Sequence, residues 1–151
     1  MKSFSVFFFI TLSLFSCKKE DNSTEQAEVD EGIIQQYISD HNLNAIATGS
    51  GLYYVIENPG NGQTPVPTSD VKVVYAGYYT DGNVFDQSSA LGATFNLQNV
   101  IQGWTEGIPY FKEGGNGKLL IPSALGYGAA GSGNIPPNTV IVFDVALIDV
   151  L

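Results

Sequence analysis

The sequence has little of the chemistry on which most enzymes depend. It contains one cysteine, Cys17, and one histidine, His41, and its fifteen acidic residues outnumber its six basic ones. A lone cysteine cannot close an intrachain disulfide, and the distant cysteine and histidine with dispersed acids argue against a metal site. The formal net charge of -9 argues against nucleic acid as a partner, because binding it requires a basic patch.

The first residues have the pattern of an export signal. A positively charged start precedes the apolar run 4–15, which is too short for a comfortable membrane span, so a signal peptide over 1–16 is predicted. The run ends in Leu-Phe-Ser before Cys17, which resembles a bacterial lipobox. This resemblance implies that Cys17 is lipidated and anchors the protein to a membrane. The alternative is a signal peptide cut elsewhere, which would leave Cys17 as a free thiol.

Residues 17–32 are polar, acidic and free of aromatic side chains, so they are predicted to form a flexible tether. The Lys-Lys-Glu-Asp stretch after Cys17 resembles a surface-export signal of lipoproteins in some Gram-negative bacteria, and an ordinary polar tether is the alternative. We expect the protein to be located in the cell envelope, and we favour anchoring in the outer membrane. Whether it faces the periplasm or the cell surface is left open.

A short helix and a linker are predicted over 33–48. Ile33, Ile34, Tyr37, Ile38 and His41 recur at helical spacing. Such a helix serves as a dimerisation arm, or it docks on its own domain or stays half formed. At fewer than four turns the latter pair is favoured over a dimerisation arm, so a monomer is expected. His41 is interpreted as a surface residue.

Residues 49–151 read as one domain in which strands dominate. Aromatic and β-branched runs separated by glycine, proline and asparagine predict strands over 52–56, 71–80, 84–86, 93–97, 118–121 and 139–150. A helix of two turns is predicted over 104–111. No βαβ alternation appears, so the predicted class is α+β, with a curved antiparallel sheet of about five strands wrapped around one short α-helix.

The stretch 74–88 and the segment 100–104 are the most informative about function. They surround the carboxylate of Asp86 with aromatic and aliphatic residues and contain no histidine and no phosphate-binding loop, so chemistry there must depend on shape and desolvation. These segments and further motifs over 52–150 resemble FKBP-type peptidyl-prolyl cis/trans isomerases. The matching motifs are Tyr75-Ala76-Gly77, Asp81-Gly82, Phe85-Asp86 with Ser88, Val100-Ile101 with Gly103-Trp104, Ile121-Pro122, Tyr127-Gly128, Ile135-Pro136-Pro137 and Val142-Phe143-Asp144-Val145.

This resemblance implies a proline pocket with Trp104 as its floor and, at its rim, Asp86 accepting a hydrogen bond from a neighbour such as Tyr75. Ile101 would present its backbone amide to the substrate and Tyr127 its hydroxyl. The implied catalytic residues are Tyr75, Phe85, Asp86, Ile101, Trp104, Tyr127 and Phe143, and the implied substrate-binding residues are Phe95, Val100 and Ile135.

The implied activity is cis/trans isomerisation of Xaa-Pro bonds in exported polypeptides, with no cofactor and no metal. The alternative is a non-catalytic binding module or chaperone of the same fold that holds proline-containing segments. Rapamycin-like macrolides are further candidate ligands, although Ala90 stands where relatives often carry a basic partner for the pocket aspartate, and the loop 129–134 is about one residue short.

Overall fold

The computed structural model of the protein describes residues 22–151. The predicted signal peptide 1–16, the lipidation site Cys17 and the first residues of the predicted tether lie outside the described residues. Of the helices within the described range, none combines the length and apolar character needed to cross a membrane.

An antiparallel sheet of seven strands forms the body of the described region, in the order β1-β2-β6-β7-β3-β4, with β5 paired to the first half of β3. The strands are β1 (Ile46–Ala47), β2 (Tyr53–Asn58), β3 (Asp70–Tyr79), β4 (Val84–Gln87), β5 (Ala93–Asn96), β6 (Asn116–Ile121) and β7 (Ile141–Val150). The helices are α1 (Asn22–Asp40) and α2 (Gln102–Gly107), and the latter continues as a 3₁₀ turn over Ile108–Tyr110. The α+β class is confirmed, with two more strands than the five expected.

Both faces of the central strands are buried, because each face is covered by a different helix. Side chains alternate along a strand, so Leu119 and Ile121 pack into the core beneath α2, whereas Leu120 between them packs beneath α1. The same alternation puts Phe143 on the α2 side and Val142 on the α1 side.

The enclosed helix α2 lies unusually close to β6, and two glycines permit this. A Cβ atom at Gly103 would lie 2.6 Å from the Ile121 side chain, and one at Gly107 would lie 2.6 Å from the Leu119 side chain. Residues four apart share one helix face, so both glycines face the sheet. Gly107, which weakens the helix by propensity, is therefore required for its packing.

Helix α1 begins about ten residues earlier than predicted. The prediction of a flexible tether is wrong over 22–32, and the helix ends at Asp40, within the 33–48 range predicted for a helix and a linker. The polar segment is helical because tertiary contacts hold it: Asp30 is buried and bonded to Ser123, and Glu31 accepts a hydrogen bond from the Tyr53 hydroxyl at 2.6 Å.

Docking of the helix on its own domain is confirmed. The side chains of Ile34 and Tyr37 are buried against Val55, Leu120 and Val142 on the outer face of the sheet. The domain also starts before residue 49, since β1 pairs with β2. His41 stacks on Tyr37 at the end of α1, with 3.9 Å between ring centroids.

Candidate functional site

An open cavity of about 400 Å³ lies where β3, β4, β5 and β7 meet the start of α2 and the first part of the loop between β6 and β7. Its lining is mostly aromatic and aliphatic and contains no serine, cysteine, lysine or histidine. The lining residues are Tyr75, Asp86, Phe95, Asn99, Val100, Ile101, Trp104, Tyr127 and Phe143.

The buried indole of Trp104 organises the aromatic part of the cavity. Three rings meet it edge to face: Tyr75 at 5.1 Å between centroids, Phe143 at 5.3 Å and Phe95 at 5.4 Å. Edge-to-face contacts at these distances are the favoured geometry for aromatic pairs. The rings therefore support one another and leave the cavity open, with a rigid apolar wall.

Gly77 allows two of the aromatic rings near the cavity to pack against β3. A Cβ atom there would lie 2.5 Å from Phe143 Cε1 and 2.8 Å from Phe85 Cζ. Phe85 meets Phe143 edge to face, with 5.6 Å between ring centroids. Any larger residue at position 77 would push these rings towards the cavity.

The polar side chains of the lining include a hydrogen-bonded pair, Tyr75 and Asp86. The Tyr75 hydroxyl donates a hydrogen bond to Asp86 Oδ2 at 2.9 Å, as predicted. Burial of the ring and then the hydrogen bond to Asp86 raise the pKa of Tyr75 to about 12. Among residues 22–151 no salt bridge involves Asp86, so its carboxylate is held by tyrosine rather than by a cation.

Two further hydrogen-bond donors face the cavity. Burial, followed by the negative charge of Asp86, raises the pKa of Tyr127, so its hydroxyl stays protonated at neutral pH. Ile101 is the N-cap residue of α2, and its amide therefore forms no intrahelical hydrogen bond. Both are therefore candidate donors to the carbonyl groups of a bound peptide.

Eight of the ten residues predicted for the pocket line the cavity, and two do not. Phe85 packs edge to face against Phe143 and also contacts Tyr79, at 5.2 Å between centroids. Ile135 is buried in the core, in a segment closed on itself by hydrogen bonds to Ser132. Phe85 and Ile135 therefore do not line this cavity, and their expected roles at the substrate stay predictions.

Asn99 is a lining residue that the sequence analysis missed. It is exposed and ends the 3₁₀ turn Leu97–Asn99, which directs the chain into Val100 and Ile101. An asparagine in a turn has many local roles, so the sequence offered no signal for this one.

The described residues hold no group of three histidine, cysteine, aspartate or glutamate side chains close enough to bind a metal ion. The expectation of cofactor-free chemistry stays a prediction. Physically, the cavity can enclose a small apolar ring, exclude water from the bonds next to it and donate hydrogen bonds to carbonyl groups at its edge.

A comparison with protein families matches residues 61–148 to the model of the FKBP-type peptidyl-prolyl cis-trans isomerases. Among curated relatives, FKBP-type peptidyl-prolyl cis-trans isomerase FkpA of Aeromonas hydrophila is 49% identical over 104 residues, covering 68% of this chain and 39% of that protein. A probable isomerase of the same type from Haemophilus influenzae is 47% identical over 106 residues, covering 68% of this chain and 44% of that protein. The chain thus covers less than half the length of these relatives.

Solved structures of peptidyl-prolyl cis-trans isomerases are similar to this chain as well. The crystal structure of a peptidyl-prolyl cis-trans isomerase from Pseudomonas syringae superimposes with a TM-score of 0.74 at 30% identity, over 87% of this chain and 98% of that one. FkpA from Escherichia coli gives a TM-score of 0.74 at 37% identity, over 85% of this chain and 62% of that one.

Proposed function

The chain belongs to the FKBP-type peptidyl-prolyl cis-trans isomerase family, and on this premise we propose that it accelerates rotation about Xaa-Pro peptide bonds of exported polypeptides. The observation that carries the proposal is the open aromatic cavity around Trp104, with its hydrogen-bond donors at the rim. Its volume of about 400 Å³ is within the range of roughly 300–1,000 Å³ that is typical of small-ligand sites.

The mechanism follows from the polarity of the amide. Rotation faces a barrier of ~18–20 kcal/mol because resonance holds the amide planar and separates charge between oxygen and nitrogen. A dry aromatic cavity solvates that separated charge poorly, whereas the twisted amide is less polarised and loses less on entry. The cavity thus favours the transition state over the ground state, which is the kind of binding that accelerates a reaction.

The required stabilisation is modest. Uncatalysed isomerisation takes about 10–100 s. Three to four decades of acceleration need about 4–6 kcal/mol. We assign this to desolvation by Trp104, Tyr75, Phe95 and Phe143, together with donation from the Tyr127 hydroxyl and the Ile101 amide. Asp86 acts by holding the Tyr75 hydroxyl.

A non-catalytic module that holds proline-containing segments is the alternative function. The two are separated by exchange NMR on a short Xaa-Pro peptide with the full chain purified in detergent, and with detergent alone as the blank. We expect faster cis/trans exchange with the protein. Binding of the peptide without faster exchange would overturn the enzymatic proposal and support the binding module.

Rapamycin-like macrolides are proposed ligands of the same cavity. A macrolide that fills it should inhibit the exchange in proportion to occupancy, and Trp104→Ala should weaken macrolide binding. Binding that is unaffected by Trp104→Ala would contradict a site at this cavity.

We further propose that the protein is a lipoprotein of the cell envelope, anchored through Cys17 with the outer membrane favoured. The support is the Leu-Phe-Ser-Cys sequence after the apolar run 4–15 and the lack of a disulfide partner for Cys17. Mass spectrometry of the mature protein should find a diacylated or triacylated Cys17 at the amino terminus. An unmodified cysteine would contradict the anchor.

A further inference from the structure

The segment that carries Tyr127 has little regular structure to hold it. Between β6 and β7 the chain makes two 3₁₀ turns, Ser123–Leu125 and Gly128–Ala130, and Tyr127 lies between them. Residues in such turns are held by individual contacts rather than by a strand ladder. The position of the Tyr127 hydroxyl over the cavity therefore depends on what anchors this segment.

A buried carboxylate anchors the beginning of the segment. Asp30 of α1 is 1% exposed, and its Oδ2 accepts hydrogen bonds from the Ser123 amide at 2.7 Å and from the Ser123 hydroxyl at 2.6 Å. Its other oxygen accepts a bond from Gln26 at 2.8 Å. A buried carboxylate is tolerated only when it is hydrogen-bonded in this way, and bonds to a charged acceptor are the stronger kind.

The far side of the segment has contacts of its own. The Gly128 carbonyl accepts a bond from the Asn138 amide at 2.9 Å, and the Tyr79 hydroxyl donates to the Asn134 carbonyl at 2.9 Å. Asp30 fixes the near side of the segment by binding Ser123, four residues before Tyr127. Asp30 belongs to α1, which packs on the opposite face of the sheet.

We propose that Asp30 is a positioning residue for the isomerase reaction: by holding Ser123 it fixes the Tyr127 segment, so that α1 sets the place of the Tyr127 hydroxyl over the cavity. This inference rests on the proposed function for its kinetic consequence. The coupling runs through one turn of backbone, from a hydrogen-bonded serine to the tyrosine that faces the substrate.

A double-mutant cycle in the full chain tests the coupling. We expect Asp30→Ala to lower kcat/KM about threefold to tenfold, within the range seen for residues that act on a site from outside it. In a Tyr127→Phe background the same change should lower kcat/KM no further, because the hydroxyl that it displaces is gone. An equal loss in both backgrounds would overturn the proposal.

The matched control is Glu31→Gln, one residue along the same helix. Glu31 fastens α1 to the edge of the sheet through Tyr53 and has no bond to the Tyr127 segment, so kcat/KM should be unchanged. A loss equal to that of Asp30→Ala would show that general loosening of α1 is responsible, against the proposal.

Should Asp30→Ala fail to fold, Ser123→Ala provides the milder test, because it removes the hydroxyl donor and keeps the amide. It should lower kcat/KM in the same direction by a smaller factor, with the same dependence on Tyr127. Urea unfolding of each variant establishes that it is folded under the assay conditions. A folded Ser123→Ala protein with the activity of the parent would count against the proposal.

A second readout does not depend on turnover. With ¹³C-labelled tyrosine, the ring of Tyr127 can be titrated by NMR in the parent and in the Asp30→Ala and Ser123→Ala variants. Freeing the segment exposes Tyr127, so its raised pKa should move back towards the ordinary tyrosine value in both variants and stay unchanged in Glu31→Gln. An unchanged titration in folded Ser123→Ala would refute the positioning role, even if the parent showed no isomerase activity and the proposed function failed.

Discussion

Phe143 illustrates how one residue acquires a role from its neighbours. In the sequence it belongs to an ordinary closing strand, yet in the fold its ring contacts Trp104, Tyr75 and Phe85 and forms one wall of the cavity. Val142 beside it points to the other face and is plain core. The functional assignment of a single residue here depends on which face of the sheet its side chain occupies.

Replacing the floor of the cavity should damage catalysis more than replacing the acid at its rim. Trp104→Ala admits water to the bound amide, and we expect kcat/KM to fall about 100-fold, whereas Asp86→Ala should cost about tenfold or less. Exchange kinetics on one Xaa-Pro peptide measure both. Because removing a buried tryptophan costs about 3–5 kcal/mol of stability, urea unfolding must show that the variant is folded in the assay. If the Asp86 variant were the more damaged, acid-base assistance would have to replace desolvation.

The tyrosines predict an alkaline limit to stability. Folding raises the pKa of Tyr75 from 10.0 to about 12, and it also raises the pKa values of Tyr53, Tyr78 and Tyr127. A raised pKa means that the folded state holds the proton more tightly, so this contribution is fully present below pH 10 and is lost as the pH rises towards 12.

We therefore expect the free energy of unfolding to decline between pH 10 and pH 12, and to decline less steeply in Tyr75→Phe. Urea unfolding over that range measures it, with tyrosinate absorbance as the direct record of ionisation. A slope identical in Tyr75→Phe and parent would show that Tyr75 does not contribute.

At the scale of elements, α1 contributes to stability through one face only. Ile34 is fully buried against the sheet, whereas its neighbour Ile33 is 37% exposed. We expect Ile34→Ala to lower the free energy of unfolding by about 2–5 kcal/mol, because it leaves a cavity between helix and sheet. Ile33→Ala, the matched control, should change it by less than about 1 kcal/mol. Chemical denaturation of the full chain measures the free energy of unfolding of both variants. Equal effects of the two substitutions would mean that α1 is not stably docked.

The elements also show where prediction from sequence reaches its limit. Alternating apolar residues located β3, β6 and β7 to within about two residues, the usual precision for boundaries. The start of α1 was not predicted because 22–32 is polar and has no apolar stripe. This part of the helix is held instead by the side-chain hydrogen bonds of Asp30 and Glu31. Such contacts join residues far apart in sequence, so no local pattern reports them.

At the scale of the whole molecule, the net charge of -9 creates a negative field around a cavity whose rim already carries Asp86. A field of one sign raises the encounter rate of oppositely charged ligands and is screened by salt. We expect kcat/KM at low salt to be severalfold higher for an Xaa-Pro peptide flanked by lysines than for one flanked by glutamates. The difference should shrink as salt is added. A ratio that is independent of ionic strength would contradict steering by the field.

We expect a monomer because the apolar face of α1 already packs against the sheet of its own chain. Ile34 and Tyr37 are buried against the helix's own sheet, so that face is not available for a second copy. Light scattering of the full chain in detergent, corrected for the micelle, tests the monomer.

The sequence by itself determined the class of fold, the approximate positions of the main strands and eight of the residues that line the cavity. Strand periodicity is local, and the motifs shared with the family carry the identity of the lining. Tertiary structure alone decided that Phe85 packs against Phe143 without lining the cavity, that Asn99 lines it and that a polar stretch becomes the first turns of α1. These outcomes depend on which distant side chains meet, and on a buried carboxylate finding its donors ninety-three positions away.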